Sequence, residues 1–367
     1  MAWPNVAIAY MRTFTAYVPE LKVNQKRAPK IKLSHLIKLT DDFGIIQFAQ
    51  LTEPDLSSGY TIDDNARALV FSVRYYEQIK SVAALRLAKT YLNFLSFVRQ
   101  PNGAYENYVN AQRQLSHQQN GQENLDDANG RTLYALAVTA TARHLPKRMR
   151  EKARLMYEQS LAVAERFTSP RAKAFYIKSL ALHLNQHANP NYRGRLIRAC
   201  DFLMHEYKEN GSQKWQWFEP ILAYSNATLS EALLTGYAVT GNPDYLKVGK
   251  QTLDFLISHT FENNIYIPIG QQGWFKRGGH RYKFDQQPED TASTIEALKT
   301  MYEISKDPHY QRLLHRAFDW FLGDNLLGQF IYDQATGGCY DGLKEREVNL
   351  NEGAESTLSY LLSRLLL

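Results

Sequence analysis

Two stretches of the 367-residue chain concentrate side chains that could do chemistry: Asp63-Asp64-Asn65-Ala66-Arg67 and Asp126-Asp127-Ala128-Asn129-Gly130-Arg131. Glu289-Asp290 repeats the doubled acid, and Glu352 and Glu355 lie three apart near the end. Carboxylates held close together resist joint ionisation, so one is pushed up in pKa while its neighbour stays charged. A protonated acid beside an ionised base is the pair that glycoside hydrolysis needs. A plainer use competes: Asp at a helix start caps free amides, worth roughly 0.5–2 kcal/mol, and complements the helix dipole. Asp63 with Arg67 and Asp127 with Arg131 also have the i,i+4 spacing of ordinary helical ion pairs. Capping needs one acid per helix, however, and three of these starts carry two.

Other chemistries fit less well. The acids lack EF-hand spacing and no Glu-x-x-His pair accompanies them, so neither metal nor cofactor is expected. There is no Gly-x-Ser-x-Gly elbow and no glycine-rich phosphate loop. His280, within Gly278-Gly-His-Arg-Tyr, is a candidate partner for a sugar hydroxyl.

The elements that must position these residues recur along the chain. Six segments share a polar or acidic start followed by small and apolar residues at helical spacing. They begin near Thr61, Leu125, Ser169, Ser225, Pro288 and Asn351. More polar amphipathic partners are predicted near 82–98, 148–167, 191–208, 243–259 and 308–323. A helix over 3–17 would supply a sixth partner and close a ring. The expectation is an all-α ring of helical hairpins forming one domain over 1–367, with the acids at the starts of its inner helices. Long return segments, 99–124, 209–224, 260–287 and 324–350, would emerge over those starts carrying aromatic residues such as Trp217, Trp274 and Tyr340. A mouth lined with acids and roofed by aromatics has the composition of a carbohydrate cleft.

Bulk properties narrow the field. The net charge of +6 is scattered over loops and outer faces, which argues against nucleic acid as partner. Two isolated cysteines, Cys200 and Cys339, suit a reducing compartment. No run of 18 apolar residues and no signal peptide is visible, so a soluble, cytoplasmic protein without a membrane partner is expected, with the periplasm or secretion left open.

Ser58-Gly-Tyr-Thr-Ile-Asp-Asp-Asn-Ala-Arg, Gly337-Gly-Cys-Tyr-Asp-Gly-Leu and Val348-Asn-Leu-Asn-Glu-Gly-Ala-Glu-Ser-Thr carry a resemblance spanning nearly the whole chain. The chain resembles the (α/α)6 toroid glycosidases and their relatives, a group that includes α-mannanases, glucanases, unsaturated glucuronyl hydrolases and sugar epimerases. More narrowly, it is similar to a bacterial domain often found downstream of glycosyltransferase domains, whose motifs do not fix a reaction. The resemblance implies an (α/α)6 toroid, a carbohydrate substrate, and a glycosyltransferase as partner or fused domain. It implies hydrolysis with inversion, possible on mannosides, with one catalytic acid from Asp64 or Asp127 and another from Glu289 or Asp290. Tyr60, Asp63, Asn65, Arg67, Asp126, Arg131, His280, Gln287, Tyr340, Glu352 and Glu355 would contact substrate, and Trp217 and Trp274 would stack on sugar rings. Two alternatives stand beside hydrolysis. A sugar epimerase or isomerase on the same scaffold would need histidines at the cavity floor. A non-catalytic carbohydrate-binding module serving a glycosyltransferase would bind glycan without cleaving it.

Overall fold

The structure, a computed structural model, describes residues 28–367 and Tyr10. The helix expected over 3–17 lies outside the described residues, Tyr10 apart.

Five helical hairpins follow one another. They are α1 (Ile62–Ile79) with α2 (Val82–Phe97), α3 (Asp126–Thr141) with α4 (Lys147–Ala164), α5 (Pro170–Leu184) with α6 (Pro190–Asn210), α7 (Asn226–Thr240) with α8 (Pro243–Thr260), and α9 (Pro288–Ser305) with α10 (Pro308–Asp319). A further helix, α11 (Ala354–Leu365), follows them. Their limits agree with the sequence periodicity because local chemistry sets them. Ser81, Ser169, Asn189, Asn242 and Asp307 each accept a bond from a first-turn amide. Proline opens α5, α6, α8, α9 and α10, where its missing N–H costs nothing.

Each odd-numbered helix packs against the next, and α11 packs back against α1, so six inner helices close a ring. Each outer helix packs on its own inner partner. The burial patterns follow from this. Every residue of α5 from Arg171 to Ala181 is buried, whereas α10 buries one stripe, Tyr310, Leu314, Ala317 and Phe318. Close approach needs small residues: a Cβ on Gly130 would lie 2.8 Å from the Ala172 Cα, so α3 and α5 touch backbone to backbone there. This is the (α/α)6 toroid. None of its described helices is long and apolar enough to cross a membrane.

Short antiparallel strand pairs tie the return segments together over the inner-helix starts. Tyr60–Thr61 pairs with Tyr108–Val109, Ile221–Leu222 with Phe275–Lys276, and Gly342–Leu343 with Val348–Asn349. Deeper along the ring axis, Lys178 Nζ donates to Glu231 Oε2 at 2.6 Å and Glu296 Oε2 at 2.9 Å, and Arg74 Nη1 donates to Glu296 Oε1 at 3.1 Å. Two cations and two carboxylates balance in this plug. Only about 50 Å³ of cavity, lined by Arg67, Arg131, Glu289 and Glu296 among others, separates it from the mouth.

Candidate active site

The first turn of α1 builds the centre of the site. Thr61 is the N-cap, accepting from the Asp64 amide at 3.2 Å and donating its hydroxyl to Asp64 Oδ2 at 2.7 Å. Thr61 thus caps the helix through the Asp64 amide and at the same time holds the Asp64 carboxyl through its hydroxyl, with Asp64 in the third position. The other acidic starts make no side-chain cap: α3, α9 and α11 follow Leu125, Gln287 and Gly353, none of which caps through its side chain. Their acids are therefore free for another use. Asp63, Asp127, Glu289 and Glu355 each occupy the second position of an inner helix, on α1, α3, α9 and α11. That shared register turns all four into one cleft.

Two arginines cross-link the acids. Arg67 Nη1 lies beside Asp63 and 3.5 Å from Asp64, while its Nη2 lies 2.8 Å from Glu355 and 3.9 Å from Glu289. Arg131 Nε lies 2.7 Å from Asp63, and its Nη2 donates to Glu289 at 3.0 Å and Ser225 Oγ at 3.1 Å. The Phe175 ring lies 4.7 Å from the Arg131 guanidinium carbon and braces it. Glu289 also accepts from the Ser225 hydroxyl and, at 3.2 Å, from its amide. Asp127 accepts from the Ser169 and Tyr224 hydroxyls.

The cleft has two lobes of about 400 and about 390 Å³, the size range of small-ligand sites. The first is lined by Asp63, Asp64, Asp285, Asp341 and Glu355 with Asn107, Gln287, Asn349 and others. The second is lined by Asp63, Arg67, Asp127, Arg131, Glu289 and Glu355 with Glu123, Tyr224, Gln271 and Trp274 among others. Asp63, Glu355, Asn107, Tyr108 and Gln287 belong to both, so the lobes meet over Asp63 and Glu355. Tyr224 and Trp274 form an aromatic corner in the second lobe, with centroids 6.3 Å apart and planes at 51°.

Electrostatics separates adjacent acids. Burial would raise Asp63, but Arg67 and Arg131 outweigh it and hold the carboxyl below its ordinary value. Asp64 is pushed up to about 7, by burial first, with Asp63 and Glu355 adding to the shift against the pull of Arg67. Glu289 is held low: Arg131, Arg67 and Ser225 overcome its burial. Glu355 is raised by burial, with Glu289 and Asp63 adding and Arg67 opposing. In the first lobe, burial lifts Asp341 to about 6 and raises Asp285. Near neutral pH Asp64 is thus divided between its protonated and ionised forms, next to Asp63, which is held ionised.

The structure gathers Asp63, Asp64, Arg67, Asp127, Arg131, Trp274, Gln287, Glu289 and Glu355 into the cleft. It places the other expected residues outside the cleft. Asp290, third in α9 as Asp64 is in α1, is buried beside Glu289 and Tyr266, raised well above its ordinary value by burial and Glu289, and lines neither lobe. Asp126, one position before Asp127, turns back to accept from the Thr168 and Ser169 amides at 2.8 and 3.3 Å. Asn65 is fully buried, accepting from the Ile45 amide and donating to the Thr61 carbonyl. Tyr60 is buried against Phe43 with its hydroxyl on Asp41, and Tyr340 is buried with its hydroxyl on Asp333. Trp217 is completely buried beside Phe218 and Phe255 and presents no face to a sugar. His280 sits on an exposed loop against Tyr282, off both lobes. Glu352 precedes α11 and points behind the wall onto His35, Thr336 and Gly338, with no exposed surface.

Sequence reasoning passed over Asp285, Asp341, Tyr224 and Ser225 as site residues. Asp341 stands inside the Gly337–Leu343 motif, but a lone acid in a long loop carries no spacing signal. The helix-position register of the acids was a partial clue: the second place in each inner helix picks out Asp63, Asp127, Glu289 and Glu355, but the third place holds both Asp64, which lines the first lobe, and Asp290, which lines neither.

No protein-family model matches the chain, and no curated protein does. Solved structures match over nearly its full length. Cellobiose 2-epimerase from Bacillus thermoamylovorans is 12% identical with a TM-score of 0.70, over 97% of this chain and 98% of that one. A D-mannose isomerase is 13% identical with a TM-score of 0.66, over 90% and 93%. An inactive α-1,6-mannanase of Salegentibacter, with alanine at two consecutive aspartates and bound to α-1,6-mannotetrose, is 12% identical with a TM-score of 0.60, over 91% and 95%. At these identities the likeness is one of fold.

Proposed function

We propose that the chain is a carbohydrate-active enzyme, a glycoside hydrolase that cleaves an oligo- or polysaccharide by carboxylate acid/base catalysis. The observation that carries this reading is two adjacent acids in one cleft with different neighbours: Asp63 lies between Arg67 and Arg131, which hold it low, while Asp64 is enclosed and lifted to about 7 by burial. A carboxylic acid that keeps its proton near neutrality can protonate a leaving glycosidic oxygen. Asp64 takes that role. The base must be ionised and open to water. Glu289 has its oxygens occupied by Ser225, Arg131 and Arg67, which makes it a weak acceptor. Glu355 is contacted by one cation, Arg67, its side chain is 42% exposed, and it faces both lobes. Open to water and held by a single cation, it is the better placed base, and we assign it that role. Acid and base on different helices, α1 and α11, suit an inverting displacement, in which water must fit between base and sugar. Tyr224 and Trp274 offer stacking faces, and Asn107 and Gln287 offer amide partners for hydroxyls.

Replacement of two consecutive aspartates accompanies inactivity in the α-1,6-mannanase of the same fold, which supports looking first at Asp63-Asp64 here and testing mannosides first. The epimerase and isomerase of this fold favour the second reading. Among the described residues lining the two lobes there is no histidine to exchange a proton at a sugar carbon, which weighs against it.

A panel of α- and β-linked manno-, gluco- and galacto-oligosaccharides, followed by mass spectrometry, tests the proposal. Sugar release is expected, and Asp64→Asn is expected to slow it about 10²–10⁴-fold. Full activity in Asp64→Asn removes the acid assignment. Epimerised or isomerised sugar without hydrolysis hands the scaffold to the second reading. Binding without any conversion makes it a recognition module.

A further inference from the structure

The cleft and the chain that carries it have opposite charge. The chain is +6 overall, yet the first lobe is lined by five carboxyl groups, to which the second adds Glu123, Asp127 and Glu289. Among the described residues lining the first lobe there is no Lys, Arg or His. The second lobe holds two cations, Arg67 and Arg131, and both are spent. Arg67 faces four carboxylates and Arg131 two, so neither fork is free for an incoming anion. The remaining recognition groups are uncharged. Asn107, Gln287 and Gln271 present amides, and the Tyr224–Trp274 corner presents ring faces.

We infer that the cleft selects substrate by charge: it takes a glycan without anionic groups and excludes chains bearing uronate, sulfate or phosphate. A carboxylate at C6 of a sugar in the first lobe would find no free cation among the described lining residues: Arg67 and Arg131 are already held by Asp63 and Glu355, while Asp285 and Asp341 face the lobe without a cation in its lining, and like charges so placed are a strong element of rejection. Hydroxymethyl groups at the same position meet only acceptors and amides, which they satisfy. The inference rests on the carbohydrate reading for what enters the cleft, and on the lining residues alone for the sign of its charge.

The test uses matched pairs that differ only at C6: β-1,4-mannotriose with its trimannuronate, cellotriose with its triuronate, and α-1,4-galactotriose with trigalacturonate. Binding to the Asp64→Asn protein is measured by calorimetry at pH 7, the amide standing in for the protonated acid so that affinity is read without turnover. At least one neutral trisaccharide is expected to bind, with its uronate at least about ten-fold weaker. Adding Asp285→Asn and Asp341→Asn together is expected to narrow that gap several-fold. A uronate that binds as tightly as its neutral partner overturns the inference, as does failure of all three neutral sugars to bind. Neutral binding without sugar release by the unmutated protein leaves charge selection standing and removes the hydrolase.

Discussion

Asp63 and Asp64 are adjacent in the chain and differ in charge because one turn of helix gives them different neighbours. Asp63 reaches two guanidinium groups, whereas Asp64 is enclosed and faces only the edge of one. Hydrolysis should therefore fade on the alkaline side: with the acid titrating at about 7, kcat/KM is expected to fall roughly ten-fold per pH unit above that point, a limb visible in a pH–rate profile. Glu352 makes a different prediction. Burial lifts it from an ordinary 4.5 to about 7, so between those values the folded state keeps a proton that the unfolded chain has released. Its contribution to stability is full below about 4.5 and is lost as pH rises through about 7. Denaturant unfolding should show the native protein losing on the order of 2 kcal/mol relative to Glu352→Gln between the ends of that window. The doubled acids were legible in the sequence because doubling exceeds what capping requires. Their facing was not. Asp126 and Asp127 read alike on paper, and only the rotation of α3 sends one to Thr168 and the other to the cleft.

Helix scale was the most legible, since caps, prolines and apolar spacing are local signals and all survive in the ring. The axial plug was not legible. Arg74, Lys178, Glu231 and Glu296 come from four helices, and each alone reads as a charge on a solvated face. Burial turns them into a balanced set whose members depend on one another: Lys178→Met should cost about 3–5 kcal/mol by leaving Glu231 without its cation and Glu296 with Arg74 alone, and adding Glu231→Gln should recover part of it. Urea unfolding of the single and double variants measures both effects. Loop aromatics were the weakest expectation, because Trp217 and Trp274 lie in similar contexts yet one enters the core and the other lines the cleft. Whether an aromatic in a return segment turns inward depends on partners such as Phe255, which lie far away in sequence.

For the whole molecule, closure is the decisive property. Contacts between neighbouring helices in the hairpins are local, while those between α11 and α1 join segments nearly 300 residues apart. Long-range contacts form late, because the chain entropy must be lost before they reward it. Refolding should therefore regain helical circular dichroism ahead of glycan binding, with the second signal lagging the first. Simultaneous recovery would argue that the ring closes as a unit.

The join between α1 and α11 is also where Arg67 meets Glu355, and where the two lobes share their floor. A sugar lying across Asp63 and Glu355 would act as a clasp on that seam. Occupancy would then be worth most to the part of the wall that assembles last, and a bound sugar would help to guard the barrel that holds it.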